Sequence, residues 1–100
     1  MNTDDLAYSL ITEYQELTSP EQRDNFEIQH YDEIKNFVLA HSNLVDFSIR
    51  RTTCKNGQDG FKTVLFHKDK GVIYNRIAYS SRTTALMSIF YAVWQKDKLV

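Results

Sequence analysis

Cysteine occurs once in the 100 residues, proline once and glycine three times. The lone Cys54 excludes an intramolecular disulfide and suits a reducing compartment. Gly57, Gly60 and Gly71 all fall at turns, so no glycine-rich loop is available to cradle phosphate. No apolar run approaches the roughly 18–20 residues that cross a bilayer, so no membrane partner is expected. Met1-Asn2-Thr3-Asp4-Asp5 opens acidic and leads into an amphipathic pattern, unlike a signal peptide or mitochondrial presequence. Hydrophobic residues are 42% and charged residues 25%, which puts disordered and low-complexity readings out. What is left is a small cytoplasmic domain over residues 1–100, with no cofactor expected.

The net charge of −1 hides a division. Residues 1–43 carry nine acids against Arg23 and Lys35, a net of −7. Residues 44–100 carry ten bases against Asp46, Asp59, Asp69 and Asp97, a net of +6. Two opposed charged parts steer and orient a charged partner. Alternatively they satisfy each other, within one chain or across a homodimer.

Along the acidic part, Thr3 can cap a first helix, with Asp4 and Asp5 in the turn where the helix dipole favours anions. Leu6, Ala7, Leu10, Ile11, Tyr14 and Leu17 then recur at helical spacing, and the helix ends near Thr18. Ser19-Pro20-Glu21-Gln22 reads as a capping box with proline at the first helical position. The second helix from Pro20 either runs unbroken to about Ser42 or breaks near His30, with Asp32 capping a fresh start.

From Leu44 the period becomes two. Val45, Phe47 and Ile49 alternate with Asp46, Ser48 and Arg50, the pattern of a half-buried strand. Lys55–Gly60 is a hairpin loop, Phe61–Lys68 a second strand, Asp69-Lys70-Gly71 a tight turn and Val72–Tyr79 a third strand. Ser80 or Ser81 caps a last helix in which residues 85–94 hold only Ser88 as a polar residue. A helix apolar nearly all round is buried on more than one side, or keeps one side for a partner with Tyr91 and Trp94 as anchors. The expected architecture is α+β: two N-terminal helices, a three-stranded antiparallel meander and an apolar C-terminal helix packed on the sheet, in the order ααβββα.

No catalytic arrangement emerges from these residues, so an enzyme is not expected. Glu27-Ile28-Gln29-His30 has a spacing that suits a metal, but carboxylate-bridged bundles need two copies and further glutamates. His30, His41 and His67 fall without zinc spacing, so no metal is expected. Cys54 lies beside Arg51 and Lys55, yet no base is placed to use it as a nucleophile.

The basic part, with Arg50, Arg51, Lys62, Lys68, Lys70, Arg76 and Arg82 and with Tyr74 and Tyr79 among them, can hold phosphate and stack bases. The order helix, three strands, helix over residues 32–98 resembles a double-stranded-RNA-binding domain. In that family a Ser-Lys-Lys-x-Ala-Lys stretch at the start of the last helix clamps phosphates. Ser81-Arg82-Thr83-Thr84-Ala85-Leu86 resembles it in Ser81, Arg82 and Ala85 only. In size, acidic helices and lack of motifs, the chain is similar in type to small phage or mobile-element proteins that block host defences, anti-CRISPR proteins among them. Two functional readings follow. In the first, a non-enzymatic protein-binding inhibitor or adaptor presents Asp4, Asp5, Glu13, Glu16, Glu27, Asp32 and Glu33 to a nucleic-acid-handling partner. In the second, a regulator binds nucleic acid through the basic sheet.

Overall fold

A computed structural model describes residues 3–97 and 100. Its elements are α1 (Thr3–Gln15), α2 (Pro20–Ala40), β1 (Leu44–Thr53), β2 (Asp59–His67), β3 (Gly71–Tyr74) and α3 (Arg82–Trp94). The ααβββα order and the antiparallel meander β1-β2-β3 are those expected. Among the described residues, no helix is long and apolar enough to cross a membrane.

α1 takes in Thr3 as a helical residue, and the expected capping side chain of Thr3 lies outside what is described. Ser19 caps α2 by accepting from the Gln22 amide, with Pro20 at the first position. The return bond of the capping box shifts by one residue, since Gln22 Oε1 accepts from the amide of Thr18 at 2.7 Å. α2 then runs unbroken for 21 residues. His30 is held in it by its ring contact with Phe26, at 4.8 Å between centroids, which settles the open question of a break.

Two strand expectations need correction. Val45 was expected to face the core with Phe47, yet it is 64% exposed. A bulge between Leu44 and Asp46 adds one residue, so Leu44 and Phe47 both reach the core and Val45 turns outward. The third strand stops at Tyr74 rather than reaching Tyr79. Asn75 ends it: its side chain donates to Thr63 Oγ1 at 3.2 Å and accepts from the Ile77 amide at 3.0 Å. The Asn75 amide still donates to the Thr63 carbonyl at 3.1 Å, and the side-chain bond to the Ile77 amide then turns the backbone off the ladder. Tyr79 returns to pair with Phe61 through two 2.8 Å backbone bonds.

The β2–β3 turn is held from within. The amides of Asp69 and Lys70 donate to Nδ1 of buried His67 at 3.0 and 3.1 Å, and Gly71 supplies a φ of +75° that other residues rarely adopt.

α3 is the centre of the molecule. Ser81 caps it, and Ala85, Leu86, Met87, Ile89, Phe90 and Val93 are buried. It packs on β2 on one side and α2 on the other, with Phe90 against Phe37 at 4.7 Å. α1 is tied to it by Tyr14 Oη and Thr84 Oγ1 at 2.6 Å. α2 also touches β1, so the helices cover one face of the sheet and leave the other to solvent.

Candidate functional site

On α2, Glu21, Asp24, Ile28 and Asp32 are spaced three, four and four residues apart, so they form one stripe along the helix. All four are exposed, and Ile28 is 79% exposed. The opposite side of the helix holds the buried Phe26, Ile34, Phe37 and Val38. On α1, Asp4, Asp5 and Glu16 are exposed as well. Asp4 accepts from the indole N–H of Trp94 at 3.3 Å. Among the described residues, no ion pair engages Asp5, Glu16, Glu21, Asp24 or Asp32.

The remaining acids of this layer are used internally. Glu27 pairs with Arg82 at 3.1 Å and is largely covered. Glu13 of α1 and Glu33 of α2 approach His30 from two sides, each with an oxygen 3.1 Å from a ring nitrogen. Glu33 is aligned for a hydrogen bond with Nδ1. Nε2 lacks that alignment with Glu13, so the contact there is one of proximity. The Glu27/His30 spacing therefore serves two different partners and does not converge on a shared site. Among the described residues, no group of three or more His, Cys, Asp or Glu side chains could hold a metal ion.

The basic residues of residues 44–100 separate into distinct places. Arg50 and Lys62 are cross-strand partners and share the solvent face of the sheet. Arg51 points to the other face, its guanidinium 6.0 Å from the Phe61 ring centre. Lys68 and Lys70 lie in the β2–β3 turn, and Arg76 follows β3. Arg82 is bound to Glu27 and donates to the carbonyl of Ile49 at 3.3 Å. The residue that the double-stranded-RNA resemblance assigns to a phosphate clamp is thus engaged within the fold.

Among the described residues, the ion pairs Arg82–Glu27 and Lys35–Asp46, the latter at 3.4 Å, cross the division at residue 43. Exposed Glu21, Asp24 and Asp32 on one side of the division and exposed Arg50 on the other have no ion pair among the described residues. Tyr91 is 51% exposed. Trp94 packs edge-on against Tyr8 at 5.1 Å and lies 5.8 Å from Tyr91, so α1 covers much of it.

Glu21, Asp24 and Ile28 were not singled out from the sequence. Glu21 stood in the capping signal, Asp24 in the charge count and Ile28 between Glu27 and His30. The helical spacing of the stripe was available once α2 was known to be continuous. Comparison of the chain with protein-family models, curated proteins and solved structures found no match in any of the three.

Proposed function

We propose that this chain is a small protein-binding module, an inhibitor or adaptor, whose acidic helical layer docks on a basic surface of a nucleic-acid-handling partner. The observation that carries the reading is the α2 stripe, in which exposed Ile28 stands among Glu21, Asp24 and Asp32. Unpaired acids are repelled by nucleic acid and attracted to a surface that binds it, where they stand in for phosphates. An apolar side chain within that field adds what a phosphate row lacks, a residue to bury in a protein interface. Glu21 to Asp32 spans 11 positions, about 16 Å of helix. The corresponding role is that of a phage or mobile-element protein that blocks a host defence complex by occupying its nucleic-acid channel.

The test is capture from bacterial lysate on the immobilised protein, with and without nuclease, followed by an Asp24→Lys/Asp32→Lys variant. A stoichiometric partner should survive nuclease, lose its own nucleic acid to competition and be released by the charge reversal. Retention that vanishes with nuclease, or that ignores the reversal, overturns the reading. Circular dichroism establishes that the variant is folded.

A further inference from the structure

The helical layer covers one face of the sheet and meets the other only at its edge, where Lys35 of α2 reaches Asp46. The strand register sets out the side chains of that other, solvent face in rows. One row holds Arg50 opposite Lys62. The next holds Ser48, Val64 and Tyr74, and the next Asp46, Phe66 and Val72. Val64 is only 3% exposed although it lies outside the main core cluster, so its neighbours on this face close around it as a packed floor. Tyr74 stands out from that floor at 69% exposed and Val72 at 47%.

Like charges directly opposite each other weaken a strand pair. Arg50 and Lys62 hold that arrangement without an ion pair among the described residues, and an anion placed between them would relieve it. Lys68, exposed just past the other end of β2, adds a third cation about 20 Å along the strand direction from Lys62. The one acid in these rows, Asp46, is paired with Lys35. Cations at both ends, with exposed Tyr74 and half-buried Phe66 between them, are what a single strand needs. Its phosphates meet charge, and its unstacked bases meet a ring. A duplex keeps its bases stacked and gives Tyr74 nothing to pack against.

We propose that the solvent face of the sheet is a platform for single-stranded nucleic acid, with Tyr74 and Phe66 stacking bases and Arg50, Lys62 and Lys68 meeting phosphates. It assigns no role to Arg51 or Arg82, which the fold uses elsewhere.

The test is fluorescence anisotropy of the whole protein with a fluorescein-labelled 15-nucleotide oligouridylate and with a 15-base-pair RNA duplex. The single strand should bind more tightly, and three phosphate contacts give a log–log salt slope of about −2. Tyr74→Ala should weaken binding by roughly 5-fold or more, the loss of one stacked base. Lys62→Glu should remove measurable binding, and Arg50→Gln provides a second variant if Lys62→Glu melts early. The absence of saturable binding, a preference for the duplex or full affinity in Tyr74→Ala overturns the proposal. So does a stable dimer of the free protein, seen by light scattering, that Tyr74→Ala dissociates, since a second copy would then own the face.

Discussion

At Gly60 a side chain of even one carbon would collide with its surroundings. An added Cβ would lie 2.6 Å from Cys54 Sγ and 3.2 Å from the Tyr79 carbonyl oxygen. That oxygen is fixed because it accepts from the Phe61 amide. Gly60→Ala should therefore lower stability by about 1–3 kcal/mol in urea denaturation, and Cys54→Ala in the same chain should return part of the loss. A Gly60→Ala protein of unchanged stability would show that the hairpin end yields more easily than its packing indicates. The sequence put Gly60 in the hairpin loop, whereas it lies within β2 opposite Thr52, and its close approach to a sulfur was not legible because that contact joins the two strands flanking the loop. His30 has the same character. Its spacing from Glu27 was visible, whereas its real partners, Glu13 and Glu33, include one from the other helix.

Whole elements were more legible than their interruptions. Ser19 and Ser81 stand immediately before regular apolar patterns, and both cap their helices as that position implies. The bulge at Val45 and the end of β3 at Asn75 were hidden, since each depends on a neighbouring strand rather than on local alternation. The end of α3 shows a cost that the sequence does carry. Lys96 sits at φ 57° and Gln95 precedes it as the cap. The amide of Lys96 donates to the carbonyl of Val93, and the amide of Asp97 donates to that of Ala92. This pair of bonds is a helix stop that glycine normally occupies. Lys96→Gly should raise stability by about 0.5–1 kcal/mol, observed as a higher urea midpoint at unchanged slope. A lower midpoint would mean that the lysine side chain contributes more than its backbone strain removes.

For the molecule as a whole, the net charge of −1 and the pI near 6.3 describe the surface poorly. The acidic stripe of α2 and the Arg50/Lys62 row lie on opposite sides of the fold. Interactions between exposed charges fade beyond about 10 Å at 0.1 M salt, so a charged resin senses the nearer face rather than the net charge. The protein should bind both cation- and anion-exchange matrices at pH 7 and low salt, and elute from each at moderate salt. Lys62→Glu should shorten retention on the cation exchanger alone, and Asp24→Lys on the anion exchanger alone. Passage of the unmodified protein straight through either column would contradict two separate charged faces. The division between acidic helices and basic strands could be counted from the sequence. Its opposition in space follows from the helices covering only one face of the sheet.

The central place of α3 also bears on how the chain is made. Its contacts reach back to Asp4, Tyr14, Arg23 and Glu27, across 55 to 90 residues. Until residues 82–94 have been synthesised, the first two helices and the meander lack the helix that most of their shared packing closes upon, and α2 can meet only β1. At about 5–20 residues per second, the preceding eighty residues wait for several seconds with their apolar faces uncovered. Completion of the core thus waits on synthesis of the last helix, and until then the charged residues of the chain are what oppose its association with neighbours.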